Sequence, residues 1–127
     1  MANNYTQSSS MLTIPKEKHA QAQEIIERFM EDFDEEQDEY CGFEVELESE
    51  GVWISGEDSF DADQAAELAQ MLVDELEIEE PFIFSWAYTC SKLRVDEFGG
   101  GACLIRKGQG AVFIDARNHV ENLLRAE

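Results

Sequence analysis

Acidic residues are concentrated in one part of this chain, and their distribution is the feature that most constrains its fold. Residues 1–80 hold 24 of the 29 acids and three bases, whereas residues 81–127 hold five acids and six bases. The net charge is therefore −21 for the first part and +1 for the second, which together give −20. Neither part is long enough for a comfortable core of its own. We expect one domain, residues 1–127, with one strongly charged side.

The composition is typical of a folded protein and excludes several classes of function. Hydrophobic residues at 43% and aromatic residues at 10% fit a globular domain better than a disordered acidic tail. A charge of −20 excludes direct binding to nucleic acid and to anionic lipid. No apolar run reaches the length of a membrane span, residues 1–10 contain no signal-peptide core, and the three cysteines fit a reducing compartment. We therefore expect a cytoplasmic protein in which residues 1–10 are a candidate flexible end.

Helical periodicity and capping residues predict about three helices. Pro15 opens the first, whose apolar stripe begins at Ala22 and fades in the acidic run at 31–39. Asp61 caps a second helix that extends to about Glu77, with Gln64 as the reciprocal partner of the cap. Asp115 caps a short third helix. The residues predicted to face inward on this third helix are Val120, Leu123 and Leu124.

Alternating residues predict a mainly antiparallel sheet of four to six strands. The strands are predicted at 43–47, 52–55, 82–89, 102–106 and 111–114, with an edge strand at 8–14. Glutamates occupy every outward position of the first of these, and Trp53 is pushed outward beside them if Val52 and Ile54 face the core. The aromatic stripe from Phe82 to Tyr88 is expected to face inward. A strand–turn–strand–helix pattern at 43–77 and again at 102–125 suggests a ββα duplication, with all helices on one face of an α+β domain.

The acidic side is the first candidate binding surface. A compact domain of this length is roughly 36 Å across, and a DNA duplex of that length carries about 21 charges. This matches the −21 of residues 1–80 and favours mimicry of nucleic acid toward a basic partner. The candidate residues of this acidic face are Glu31, Asp34, Glu35, Glu36, Asp38, Glu44, Glu46 and Glu48.

A glycine-rich segment is the second candidate surface. Residues 90–101 read as a loop that ends in three glycines, where the backbone either packs closely or forms a nest of N–H groups for an anion. No Walker or dinucleotide-binding spacing accompanies it. The candidate docking residues of this loop are Lys92, Arg94, Phe98, Gly99, Gly100 and Gly101.

No pattern in the sequence demands catalysis, a metal or a cofactor. The alternate acids from Asp32 to Asp38 resemble a calcium loop, but the sixth position, where glycine is needed, is Gln37. Cys90, His119 and Asp115 have the chemistry of a triad without any local motif to support one. Three cysteines and two histidines match no structural zinc pattern. We expect a non-enzymatic protein.

The segment SWAYTCSKLRVDEFGGGA, residues 85–102, resembles a segment of small acidic proteins of phages and plasmids. The resemblance extends in outline over residues 11–115. It implies a bacterial cytoplasm and a mobile genetic element, a setting in which proteins often bind and block a host enzyme. The favoured hypothesis is therefore an acidic inhibitor of a basic host protein, such as a nuclease or another nucleic-acid-binding enzyme. The alternative is an adaptor or accessory module that docks through the glycine-rich segment, and the sequence leaves the oligomeric state open.

Overall fold

The computed structural model describes residues 4–33, 41–94 and 98–126 of the chain. It is an α+β domain with a six-stranded antiparallel sheet and three α-helices. The strands are β1 Asn4–Thr13, β2 Glu44–Leu47, β3 Gly51–Gly56, β4 Phe82–Cys90, β5 Gly99–Ile105 and β6 Val112–Asp115. The helices are a 3₁₀ turn Lys16–Lys18, α1 His19–Met30, α2 Ala62–Glu75 and α3 Ala116–Arg125.

The strand order is β2-β3-β1-β4-β5-β6, so β2 and β6 form the two edges of the sheet. β1 lies at the centre, where Asn4–Gln7 pair with β4 and Ser8–Thr13 pair with β3. The prediction of an edge strand at 8–14 was therefore wrong in its position. Strand β1 also includes residues 4–10, which belong to the candidate flexible end at 1–10. Leu12 and Ile14 supply the buried side chains that anchor this segment in the core.

One face of the sheet packs against α1 and α2. The stripe of α1 buries Ala22, Ile25, Ile26 and Phe29, whereas Met30 remains exposed at the end of the helix. Helix α2 buries residues from Ala65 to Leu76 along its predicted stripe. Opposite them, β4 contributes the buried Phe82, Phe84 and Trp86, while Tyr88 is exposed at the end of the stripe.

Local signals predicted the α2 cap correctly and its reciprocal bond wrongly. The Asp61 carboxylate accepts a hydrogen bond from the Gln64 backbone N–H at 3.0 Å. The Gln64 side chain, however, accepts from the backbone N–H of Gly42 instead of returning to the cap. The Asp61 N–H donates to the Gly42 carbonyl oxygen at 2.7 Å. The start of α2 is thereby tied to the segment that leads into β2.

Three further expectations differ from the structure. The glycines at 99–101 are not part of a loop but begin β5, where they pair with Tyr88, Ala87 and Trp86. Val120, Leu123 and Leu124 of α3 are exposed rather than inward-facing. The ββα duplication is not confirmed, because the first unit places its first strand, β2, at an edge, whereas the second unit places its second strand, β6, there.

Within the described ranges, every helix is too short or too polar to cross a lipid bilayer.

Candidate functional site: an acidic sheet edge and its groove

The edge strand β2 carries the predicted carboxylates on the face of the sheet away from α1 and α2. Glu44 and Glu46 are exposed, whereas Val45 and Leu47 are partly buried and pack against the core. This follows from the two-residue repeat of a strand, which sends alternate side chains to opposite faces. Glu48 continues the exposed row beyond the strand. The predicted alternation of this segment is confirmed.

The carboxylates of this row have no cationic partner in the part of the chain that the structure describes. The bases that form ion pairs do so elsewhere: Arg28 pairs with Glu75 of α2, and Lys107 lies 2.8 Å from Glu79. Lys107 lowers the pKa of Glu79 through this hydrogen bond and its charge. The β2 carboxylates are therefore exposed without a neighbouring base among the described residues.

Trp53 lies beside the acidic row on the same face of the sheet. It is directly opposite Glu46 on one side and Met11 on the other. Val52 and Ile54 are buried, so the indole is directed outward and is 37% exposed. The indole N–H donates to the Ser9 hydroxyl at 2.9 Å, which fixes the orientation of the ring. The sequence left the direction of Trp53 open, and the structure has the outward alternative.

A groove of about 530 Å³ opens next to Trp53, where β1 leaves β4 and pairs with β3. Ser8, at this change of partner, donates a hydrogen bond to the Ser85 carbonyl oxygen at 2.6 Å, which bridges the two diverging strands. The polar side chains of the groove belong to Gln7, Ser8, Ser9, Glu44, Ser55, Glu57 and Ser85. Its volume lies within the range of pockets that hold small molecules.

The chemistry of the groove suits a cation. Glu44 and Glu57 supply two carboxylates, and the serine hydroxyls supply further acceptors. The face of an exposed indole attracts a guanidinium or ammonium group through its quadrupole. An arginine side chain combines a planar donor fork with a preference for both carboxylates and aromatic faces. The groove therefore brings carboxylates, hydroxyls and an aromatic side chain together.

The remaining acidic candidates divide into two groups. Glu31 is exposed at the end of α1, which lies beside the start of β2 because Phe29 packs on Phe43 with ring centroids 5.9 Å apart. Glu31 thus lies on the side of the sheet that α1 covers, whereas Glu44 faces the other side. The other candidates of the acidic face lie outside the described residues and are Asp34, Glu35, Glu36 and Asp38. Three of these acids also belong to the calcium-like pattern.

The candidate residues of the glycine-rich segment also form two groups, one in the connection between β4 and β5 and one in β5 itself. Lys92, Arg94 and Phe98 are exposed in the connection between β4 and β5, and residues 95–97 lie outside the described part. The three glycines belong to β5, where Trp86 approaches the backbone. A Cβ atom on Gly101 would lie 2.5 Å from the Trp86 ring, and one on Gly100 would lie 2.6 Å from the Trp86 carbonyl oxygen. Close packing, one of the two predicted reasons for these glycines, accounts for Gly100 and Gly101.

Cys90, the candidate nucleophile, is partly buried at the end of β4. The other two cysteines lie in environments that raise the thiol pKa. Cys103 is buried, and the loss of solvation raises its pKa to about 11. Burial also raises the pKa of Cys41, although the thiol bonds the Phe43 carbonyl oxygen. Asp115, the acid of the conceivable triad, accepts from the Asn118 backbone N–H at 3.1 Å as the cap of α3. Its carboxylate is therefore engaged in a structural role.

Sequence reasoning identified Glu44, Glu46 and Trp53 but missed the groove between β1, β3 and β4. Gln7 and Ser9 alternate in a stretch that otherwise reads as a polar, flexible terminus. This short alternation could have indicated that both side chains lie on one face of a strand. That they line a groove follows only from the position of β1 between β3 and β4.

The fold and this edge define a single-domain α+β protein with an acidic, tryptophan-bearing surface on the face of β2 and β3 away from α1 and α2. Comparisons with protein-family models, with curated proteins and with solved structures find no match to this chain.

Proposed function

We propose that this protein is a non-enzymatic acidic binder that occupies the nucleic-acid-binding surface of a basic partner protein. The observation that carries the proposal is the row of exposed, unpaired carboxylates at β2 beside the groove of Trp53, within the described residues. Basic side chains of the partner pair with Glu44, Glu46 and Glu48. One of them, preferably an arginine, enters the groove.

The placement of charge across the sheet supports this proposal. Strands β4, β5 and β6 come from the nearly neutral residues 81–127 and occupy one half of the sheet. Strand β2 lies at the opposite edge, about 24 Å from β6 at the usual spacing of strands. The charge asymmetry of the strands thus sets β2 apart from β4, β5 and β6, although α2 brings its own acids over β5. A concentrated row of carboxylates at β2 steers a basic partner to this edge and gives rapid, salt-sensitive association.

The resemblance of residues 85–102 to small acidic proteins of phages and plasmids suggests the setting. In a bacterial cytoplasm, the partner class that fits an acidic, rigid edge is a host nuclease or another nucleic-acid-binding enzyme. Blocking such an enzyme requires no chemistry from the inhibitor, since occupation of the basic cleft excludes the nucleic acid.

The exposure of Lys92, Arg94 and Phe98 favours a second candidate function, an adaptor or accessory module that docks through this connection. In that case the acidic edge serves to keep the protein in solution. The two candidates place the contact on different surfaces, so substitutions separate them.

Retention of host proteins from a bacterial lysate tests the proposal. Immobilised wild type is compared with a Glu44/Glu46/Glu48→Gln triple variant at about 0.1 M and about 0.5 M salt, which bracket weak and strong screening. The matched control is a Glu67/Glu80/Glu121→Gln variant, which removes three exposed charges from other surfaces. We expect nucleic-acid-binding proteins to be retained by wild type and control at low salt. Their amounts should fall at least tenfold with the β2 variant, with high salt, or with duplex DNA as competitor.

The opposite pattern would contradict the proposal. A partner that survives both high salt and the β2 substitutions, but is lost in a Lys92/Arg94→Gln variant, assigns binding to the β4–β5 connection. Equal loss with the β2 variant and the control would show that net charge alone, and not the edge, governs retention.

A further inference from the structure

We infer that the groove beside Trp53 is a guanidinium-selective site, with Ser55 as its floor and the carboxylates of Glu44 and Glu57 as its charged sides. The inference deepens the proposed function and rests on it for the protein that supplies the guanidinium, an arginine of the basic partner. It goes further in two respects. Arginine binds here in preference to lysine, and this selectivity depends on Ser55 and Glu57, two groove residues that lie outside the predicted acidic face.

Ser55 lies on the same face of β3 as Trp53, because side chains two residues apart on a strand point to the same side. In the ladders it is directly opposite Ser9 of β1 and Glu44 of β2, and both of these neighbours are exposed. Ser55 itself is 9% exposed, which makes it the only polar residue of the described chain that is buried as a whole. It therefore forms the floor of the groove that it lines.

The Ser55 hydroxyl has no hydrogen-bond partner within the described residues. Burial of a hydroxyl without a partner is unfavourable, so such groups are usually satisfied by protein, water or ligand. Strands β1 and β2 flank Ser55 within the sheet, and the groove is the open side of its side chain. An unsatisfied hydroxyl at the floor of a groove points to a ligand that carries hydrogen-bonding groups.

The charge of the groove identifies this ligand as a cation. Glu44 and Glu57 are exposed carboxylates that line the groove, and neither forms an ion pair within the part of the chain that the structure describes. Carboxylates only accept hydrogen bonds, and the Ser9 hydroxyl already accepts from the Trp53 indole. The groove thus has an excess of acceptors and of negative charge, which excludes an anion and favours a ligand with several N–H donors.

The orientation of the indole distinguishes a guanidinium from an ammonium group. Trp53 is held by the hydrogen bond of 2.9 Å to Ser9, so its exposed ring has a defined direction. A planar guanidinium can stack on such a ring and still donate from its edge to carboxylates and a hydroxyl, whereas an ammonium group is a compact point charge that holds its water more strongly. The groove volume of about 530 Å³ leaves room for the aliphatic stem. Arginine therefore satisfies the groove better than lysine.

Titration of the whole protein with blocked tripeptides tests this inference. The probes are acetyl-Gly-Arg-Gly-amide and acetyl-Gly-Lys-Gly-amide, which carry the same charge and are compared at the same ionic strength. Binding is followed by NMR through the indole N–H signal of Trp53. The chain has two tryptophans, so this signal is assigned by its loss in Trp53→Phe. We expect the arginine peptide to shift the signal and to bind about fivefold or more tightly than the lysine peptide.

Two groove variants are compared with matched controls. Ser55→Ala removes the floor hydroxyl, and its control is Ser10→Ala on the opposite face of β1. Glu57→Gln removes one charge of the groove, and its control is Glu50→Gln in the connection between β2 and β3. Each groove variant should weaken binding of the arginine peptide by about threefold to tenfold and reduce its advantage over the lysine peptide. Each control should change binding by less than about 1.5-fold, and circular dichroism checks that all four variants are folded.

Three results would overturn the inference. The first is no shift of the Trp53 signal at about 20 mM arginine peptide, a concentration at which a millimolar dissociation constant gives nearly full occupancy. The second is equal affinity for the two peptides, which removes the selectivity. The third is an equal loss of binding in the groove variants and their controls, which places the contact outside the groove.

The peptide titration and the lysate experiment fail independently. Negative peptide results, together with host proteins that are still lost in the Glu44/Glu46/Glu48→Gln variant, overturn the guanidinium site and leave the proposed function standing. Selective binding of the arginine peptide, with no nucleic-acid-binding protein retained from the lysate, overturns the proposed function and supports the guanidinium site.

Discussion

Gly101 shows how one residue decides the packing of a strand pair. It lies opposite Trp86 in the β4–β5 ladder, and the indole covers the space that a side chain would occupy. A Cβ atom there would also lie 2.5 Å from the Ile114 carbonyl oxygen of β6. Because the backbone is fixed by ladders on both sides, neither neighbour can move easily. The residue therefore couples the aromatic stripe of β4 to the edge strand β6.

We predict that Gly101→Ala destabilises the fold by about 1–3 kcal/mol through overpacking. The matched control is Gly110→Ala, since a Cβ atom at Gly110 meets nothing within 4 Å; it should change stability by less than about 0.5 kcal/mol. Urea unfolding followed by tryptophan fluorescence measures both. Equal stability of the two variants would show that Trp86 can shift, and that the glycine is not required by packing.

The start of α2 shows how an element is held in place by a few polar bonds. The Asp61 carboxylate caps the helix by accepting from the Gln64 backbone N–H, whereas the Gln64 side chain accepts from the Gly42 N–H and not from the Asp61 N–H. The cap thus links the helix to the segment before β2, the strand that carries the acidic edge. The residues that begin α2 thus also form a tertiary contact with Gly42, and this contact positions the acidic edge at β2 relative to the core.

We predict that Asp61→Ala lowers the free energy of unfolding by about 1–2 kcal/mol, the usual effect of losing a cap. Asp61→Asn keeps a side-chain acceptor and should cost less than half as much. The measurement is the midpoint of urea unfolding at neutral pH. An equal loss in both variants would indicate that the charge near the helix N-terminus, and not the hydrogen bond, provides the stabilisation.

At the scale of the whole molecule, the strand order separates the acidic residues of β2 from the apolar residues of β6. The acidic edge at β2 and the apolar edge at β6 lie on opposite sides of one sheet. Neighbouring carboxylates repel one another in the folded state, which lowers its stability. Burial of the continuous core on the helical face, which includes residues from Leu12 to Ile105, offsets this repulsion. The molecule is therefore expected to be sensitive to ionic strength.

We predict that the melting temperature rises by about 3–6 °C between low salt and about 0.5 M sodium chloride, because screening reduces this repulsion. The Glu44/Glu46/Glu48→Gln variant should show a smaller rise. Sodium chloride is preferred to sulfate, which stabilises proteins by exclusion from their surface. Calorimetry in dilute solution measures both proteins. A rise that is the same in both proteins would place the repulsion away from β2.

Local patterns in the sequence were sufficient for much of the fold. The apolar stripes predicted α1 and α2, the alternation of Phe43 to Leu47 predicted β2 and its outward carboxylates, and Asp61 and Asp115 predicted two caps. These signals are local because side-chain periodicity and capping depend on neighbours within a few residues. The outward direction of Trp53 was one of two alternatives that the sequence left open.

The placement of these elements depended on long-range contacts that no local pattern contains. A polar stretch at 4–10 became most of the central strand β1 because β3 and β4 both pair with it. The glycines at 99–101 became a strand because β4 and β6 pair on either side and Trp86 packs over them. The amphipathic pattern of α3 predicted a buried stripe, but the tertiary structure turned that stripe to solvent. The sequence by itself determined which residues form helices, strands and a charged half, whereas pairing between distant strands decided which edge carries the acid, where the groove opens and which apolar face is left uncovered.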